Sequence, residues 1–143
     1  MVSSTPISWN LLRKFSWNSP PRIVLGRSLE SNTKYREYRL TLQEKGISSY
    51  TNIMDLFVTG GKYVLEHNNF PYFMEPGIEH YIVWINPRDD SEWKITEIED
   101  LIVAELFGND RERMKRDCVC FQNIYELRSI KDISHIQVFI RVY

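Results

Sequence analysis

The chain has few cysteines, almost no net charge and no long apolar run, and each shortage removes a class of protein. Its two cysteines, Cys118 and Cys120, lie in the segment Cys-Val-Cys-Phe. On a strand this spacing puts both thiols on one face, which is poor geometry for a mutual disulfide. No neighbouring Cys/His group completes a zinc site. Reduced structural thiols are expected, in a cytosolic-type compartment, with no metal centre and no cofactor. No apolar stretch approaches the roughly 18 to 20 residues that cross a bilayer, so no membrane partner is expected. The first twelve residues carry neither the basic n-region nor the continuous apolar core of a secretory signal. A formal net charge of −1 argues against a dedicated binder of duplex nucleic acid. A nucleotide or a short single strand stays compatible with it. Strong catalytic motifs are missing too: there is no Gly-rich phosphate loop, no G-x-S-x-G elbow, no HExxH and no CxxC pair.

What is present is a chain of 143 residues, 43% hydrophobic and 26% charged. That is one globular domain over 1–143, long enough to bury a core without staples, with residues 1–6 expected to be loose. Aromatics make up 13%, with four Trp, suiting a dense core or a stacking surface.

Periodicity divides the chain into helices first and strands later. Ser8–Phe15 reads as a short helix with Trp9, Leu12 and Phe15 on one side, stopped by Ser19-Pro20-Pro21. Leu29–Lys45 is rich in helix formers, with Tyr35, Tyr38 and Leu42 on one stripe and Gly46 just past its end. Ser49–Val58 is a further helix with Ile53, Leu56 and Phe57 inward, and Lys62–Glu66 a short extended piece. Thr96-Glu-Ile-Glu99 has the pattern of a capping box opening a helix whose stripe is Ile98, Leu101, Ile102 and Leu106. Asn109–Asp117 is a mixed charge run expected to be a solvated connection. Cys118–Gln122 is a strand candidate. The predicted class is α+β: a mainly antiparallel sheet from the centre and C-terminus, packed against several helices.

Two strands hold the candidate chemistry. Asn68–Pro87 is a stiff aromatic loop running into a β-prone segment. From Ile78 onward, Ile78, His80, Ile82, Trp84 and Asn86 share one face while Glu79, Tyr81, Val83 and Ile85 share the other. Large apolar groups on both faces indicate an interior strand. His80, between two isoleucines, is expected to be neutral and hydrogen-bonded. In the last strand, Ile136, Val138, Ile140 and Val142 form an aliphatic face that must meet the helices. His135, Gln137, Phe139, Arg141 and Tyr143 form a second face, expected to line a concave or partly open side of the sheet. If the two strands are neighbours, His80 and His135 are the candidate base, acid or nucleophile. Asn68, Phe70, Tyr72, Trp84, Asn123, Gln137 and Arg141 are the candidate ligand-binding residues.

Several short motifs taken together resemble a poorly characterised family. They are Arg27-Ser28, Asn68-Asn-Phe-Pro-Tyr72, His80-x-x-Val-Trp84, Phe121-Gln-Asn123 and Ser129-Ile-x-x-Ile-x-His135-x-x-Val-Phe139, which together span about Arg27 to Arg141. The family includes the fungal N-acetylglucosamine-induced protein, with relatives in other eukaryotes and large DNA viruses. Its pattern has Asp where this chain has Asn69, and a second histidine where this chain has Gln137. It has no settled activity to carry over. His135-Ile-Gln137 is also similar to the end of the His-Pro-Gln signature of uridylyltransferases, with Ile133 in place of the upstream histidine.

Two function classes follow. The first is a small-ligand-binding domain or degenerate enzyme, holding a nucleotide or amino sugar in a pocket lined by His, Trp, Asn and Gln. The alternative is a non-catalytic interaction or structural module with a protein partner; the resemblance implies a viral accessory protein in host cytoplasm or virion, or otherwise a cytoplasmic protein. Single-strand RNA binding by Trp and Tyr stacking ranks third, since only Arg22, Arg27 and Arg141 support it.

Overall fold

The computed structural model describes residues 2–142; Met1, and Tyr143 of the predicted second face of the last strand, lie outside the described residues. Five α-helices and four strands follow one another in the order α1 (Trp9–Leu12), α2 (Leu29–Glu44), α3 (Ser49–Met54), β1 (Tyr63–His67), β2 (Ile78–Ile85), α4 (Ile95–Leu106), α5 (Arg111–Asp117), β3 (Cys118–Phe121) and β4 (His135–Arg141). The strands form one sheet in the order β1-β2-β4-β3, and every neighbouring pair is antiparallel. The class is α+β, and β2 and β4 are the interior strands, as their apolar side chains on both faces require.

Alternation sorts the sheet into two faces. Val83 and Ile85 of β2 join Ile136, Val138 and Ile140 of β4 against Ile98, Ile102, Val103, Phe107 and Met114 of the α4–α5 layer. Cys118 and Cys120 pack at the edge of this same cluster, on one face as their spacing requires, both free. The other face meets two smaller clusters. One gathers Trp9, Leu12, Leu25, Val119, Phe121 and Phe139. The second gathers Ile53, Met54, Phe57, Trp84 and Ile133.

Helix ends follow local chemistry, with one exception. Ser28 caps α2 by accepting from the Ser31 N–H. At its other end, Gly46 (φ +68°) supplies the left-handed residue of a Schellman motif, with N–H bonds from Gly46 to the Gln43 carbonyl and from Ile47 to that of Leu42. The exception is α4. Thr96 is not its cap: the helix begins at Ile95 after Lys94, with no side-chain cap. Its first turn is tied to the start of β1 instead: Glu97 accepts from the hydroxyl of Tyr63, the first residue of β1 (2.6 Å), and from Lys62 just before it (3.1 Å). A tertiary anchor thus replaces the capping box, and the helix starts two residues earlier, with Lys94 rather than Thr96 at the cap position.

Two further expectations change. The charged run after Gly108 is helix α5 rather than a connection: Asp110 caps it, and its one apolar residue, Met114, is buried. α1 is a single turn, because Lys14 and Phe15 turn back on Leu11 and Leu12. At the N-terminus, Val2 bridges Arg27 just before α2, and the Ile7 N–H bonds the Phe73 carbonyl at 2.7 Å in the loop before β2, so the segment is tied down at both ends.

Candidate functional site

Between the two smaller clusters the polar face of the sheet is left open, and a cavity of about 520 Å³ occupies the space. The register explains its floor. In the β2–β4 ladder, Trp84 lies opposite His135, Ile82 opposite Gln137 and His80 opposite Phe139, so all six side chains share a face. Helix α2 roofs the cavity with Tyr35, Tyr38, Arg39 and Leu42, α3 adds Asn52 and Ile53, and the loop Asn68–Tyr72 forms a wall with Arg27.

His80 lies beneath this floor, 1% exposed, and both ring nitrogens are engaged. The backbone N–H of Tyr72 donates to Nδ1 (3.3 Å), as does Asn68 Nδ2 (3.3 Å). A nitrogen that accepts from an amide carries no proton, so the proton is on Nε2, which donates to Gln137 Oε1 at 2.5 Å. The ring stacks on Phe139 (4.4 Å) and is tilted against Tyr72 (4.7 Å). Burial is the main reason that its pKa falls to about 3, with the nearby Arg27 charge adding to the effect. His80 is therefore a neutral structural ring at pH 7.

His135 differs. It is 3% exposed, but it lines the cavity. Its Nδ1 lies 2.9 Å from the Ile133 carbonyl; a carbonyl only accepts, so Nδ1 carries the proton and Nε2 keeps its lone pair. Among the described residues nothing donates to Nε2, and no sealed side-chain atom there lacks a partner, so this lone pair opens onto the cavity. Burial lowers the pKa of His135, and the hydrogen bond to Ile133 only partly offsets it. The ring packs on Trp84 at 4.8 Å, and the Trp84 indole N–H donates to Glu66 at 2.9 Å.

The same logic applies to Gln137. Its oxygen is held by His80, so its NH₂ group is the part that meets the cavity. Asn68 spends Oδ1 on the Phe70 N–H and Nδ2 on His80. Asn123 donates to the Tyr72 hydroxyl at 3.1 Å. Both amides are buried and line the cavity, but their main work is to hold the wall. Burial pushes the Tyr72 phenol up, against the Asn123 bond.

Eight of the nine candidate residues thus gather at this place, seven lining the cavity and His80 beneath it. Arg141 does not join them. It points to the far end of the face, where it bonds Asp117 (2.8 and 3.0 Å) and lies 5.0 Å over the Trp9 ring. The alternation places it on the right face, but the strand is long enough to carry it past the cavity.

Sequence reasoning passed over the roof and the cations. Tyr35 and Tyr38 look like a core stripe, yet no residue of α2 is buried; tyrosine in place of leucine at those positions was the available sign. Arg27 donates through Nε to the Phe70 carbonyl (2.8 Å), and its guanidinium lies 4.1 Å over the Tyr35 ring. Arg39 is on the same ring at 5.7 Å. Glu66, opposite Ile82 on β1, could have been found from the strand alternation. Among the described residues, no group of three His, Cys, Asp or Glu could hold a metal ion, and no helix is long and apolar enough to cross a membrane.

A family model of proteins of unknown function, DUF3605, matches residues 9–141. The chain belongs to that family. The DUF3605 match covers every element described above. None of the curated proteins compared with the chain matches it in sequence. The fold is similar to that in the crystal structure of HTC1, with a TM-score of 0.60 at 20% identity over 83% of this chain and 77% of that one. At that identity the likeness is one of fold.

Proposed function

We propose that this DUF3605 domain binds a small ligand of nucleotide or amino-sugar type in the cavity over β2 and β4. One observation carries this reading: His135 Nε2 and the Gln137 NH₂ group both face the cavity without a protein partner, on side chains otherwise almost fully buried. Buried polar groups are normally paired, so an acceptor and a donor left open at the bottom of a cavity are matched by something that enters it. Its size fits the range of small-molecule sites. The resemblance to the N-acetylglucosamine-induced proteins supports the amino-sugar half of the reading. His135, neutral with a free lone pair, is also suited to take a proton from a bound hydroxyl.

The test is a thermal-shift screen against nucleotides, nucleotide sugars and amino-sugar phosphates. A ligand at 100 times its Kd should stabilise the fold by about 2.7 kcal/mol. The shift should vanish in His135→Ala and persist in Arg141→Lys, which lies outside the cavity. A shift that survives His135→Ala would move the site elsewhere. A protein partner is the second reading. Exposed Ile23, Val24 and Leu29, beside the segment that lines the mouth, favour it.

A further inference from the structure

The hydrogen-bond order beneath the cavity fixes more than the presence of a site. The Tyr72 amide sets the proton of His80 on Nε2; His80 then sets the amide of Gln137 with its oxygen inward. Gln137 can therefore meet a ligand only as a donor. His135, fixed by the Ile133 carbonyl, can meet a neutral ligand only as an acceptor. A free glutamine side chain could flip to suit either kind of partner, but this one cannot without breaking its bond to a fully buried ring.

Charge at the other end of the cavity is equally one-sided. Arg27 and Arg39 flank Tyr35 at the roof, while Glu66 is the one acidic side chain in the lining. Glu66 is engaged by the Trp84 indole. Arg27 is held in place through Nε, which leaves its two terminal NH₂ groups for another partner. That is the half of a guanidinium that grips phosphate in a fork.

Resting on the small-ligand reading above, we infer that the occupant is a phosphate ester. Its anionic end is held by Arg27, and its neutral end is read by a floor of preset polarity, an acceptor at His135 and a donor at Gln137. His80 touches no ligand; it is a positioning residue that keeps Gln137 a donor. Pyrimidine and guanine nucleoside monophosphates and N-acetylamino-sugar phosphates share this chemistry, since each joins a phosphate to a group with both a donor and a carbonyl acceptor.

Calorimetry with four probes separates the possibilities: UMP against uridine, and N-acetylglucosamine 6-phosphate against N-acetylglucosamine. At least one phosphorylated probe should bind tenfold or more tightly than its neutral parent. Arg27→Met should collapse that ratio towards one, whatever it does to the neutral parent through the lost bond to the Phe70 carbonyl. Gln137→Glu keeps an oxygen for His80 but replaces the cavity-facing donor with an acceptor and adds a negative charge to the floor; the neutral parent, which that charge does not repel, is therefore the probe that reports the donor, and it should lose tenfold or more. Independently of any variant, the imidazole ¹⁵N resonances of His80 in the unliganded protein should report a bare Nδ1 and a protonated Nε2 from pH 5 to 8. Equal binding of phosphorylated and neutral probes would overturn the phosphate assignment and leave the small-ligand reading standing. Unchanged binding of the neutral parent in Gln137→Glu, or the opposite His80 tautomer, would overturn the preset floor. No binding by any probe would remove the phosphate-ester assignment for both sources, and a thermal shift with other ligands would then show the parent reading intact.

Discussion

Against α4 and α5, the interior strands of the sheet present Val83, Ile85, Ile136, Val138 and Ile140, all aliphatic. On its opposite face the same two strands present His80, Trp84, His135, Gln137 and Phe139. Burial hardly separates the two faces: Ile136 is 0% exposed and Gln137 5%. Their chemistry does. One side gains stability from area removed from water, and the other keeps polar groups in place by an ordered set of hydrogen bonds around an opening. A period of two along β4 is enough to divide the labour, so a one-residue slip in register would destroy both functions together.

The contrast breaks first where carbon does the work. Ile102→Ala, at a fully buried position of α4, should cost about 2–5 kcal/mol by loss of transfer energy and the residual cavity. Denaturant titration should show it, while the His80 ring and its tautomer stay unchanged by NMR. A shift in the His80 signals would mean that the faces are coupled through the sheet.

The polar face should break with acid instead. His80 is held near pKa 3, mainly by burial, against about 6.5 in an unfolded chain. Between those values the unfolded state binds more protons, so stability present above pH 6.5 is lost as pH falls. One such histidine contributes about 1.4 kcal/mol per pH unit once well below its unfolded pKa, or about 2 kcal/mol between pH 6.5 and 4.5. His135 shifts the same way and steepens the slope. His80→Gln can keep a donor and an acceptor in place without titrating. The expected result is a stability-against-pH slope smaller by one proton, and an unchanged slope would contradict the buried, neutral ring.

Asp117 and Arg141 sharpen the comparison from the far end of the polar face. Burial pushes the Asp117 carboxyl up, but the bonds from Arg141 and Arg116 outweigh it and hold it below the ordinary value. The stability it brings is therefore present above pH 4 and lost as pH falls through its folded pKa. Arg141→Met removes two of those bonds and should cost about 1.5–3 kcal/mol at neutral pH. The gap from the parent chain should close in acid as the carboxyl protonates. Ligand-induced thermal shifts should survive the change, because Arg141 is not in the cavity.

How far the sequence could be read follows from the same division. Strand alternation is a local rule, so the faces of β2 and β4, the interior place of β2 and the grouping of His135 with Gln137 were all legible. The neutral, paired state of His80 followed from its isoleucine neighbours. Tertiary events were not legible. Tyrosine rather than leucine at 35 and 38 hints that α2 stands over a cavity, but half-buried tyrosines also serve a core, so the pattern alone does not decide. Arg27 acquires its role only when the loop at Phe70 folds against it. Arg141 shows the limit of alternation: it gives the face of a residue but not how far along the strand the site extends.

The smallest effect tests that lesson at two hydroxyls. Ser28 caps α2 through its side chain, while Thr96, which has the better sequence pattern, is an exposed residue inside α4 with no cap to make. Ser28→Ala should cost about 1 kcal/mol, and Thr96→Ala should stay within about 0.5 kcal/mol. The consequences should differ as well as the sizes. No residue of α2 is buried, and its first turn has only the long bond from the Ser31 hydroxyl to the Pro71 carbonyl (3.4 Å) besides its local ones, so fraying there would loosen the segment from Arg27 to Tyr35 that closes the cavity. Hydrogen exchange in Ser28→Ala should rise at the start of α2, with weaker ligand-induced protection. In Thr96→Ala the first turn of α4 should exchange as before, because Tyr63 at the start of β1 and Lys62 just before it hold Glu97. Equal effects of the two substitutions would mean that the tie to β1 is too weak to stand in for a cap.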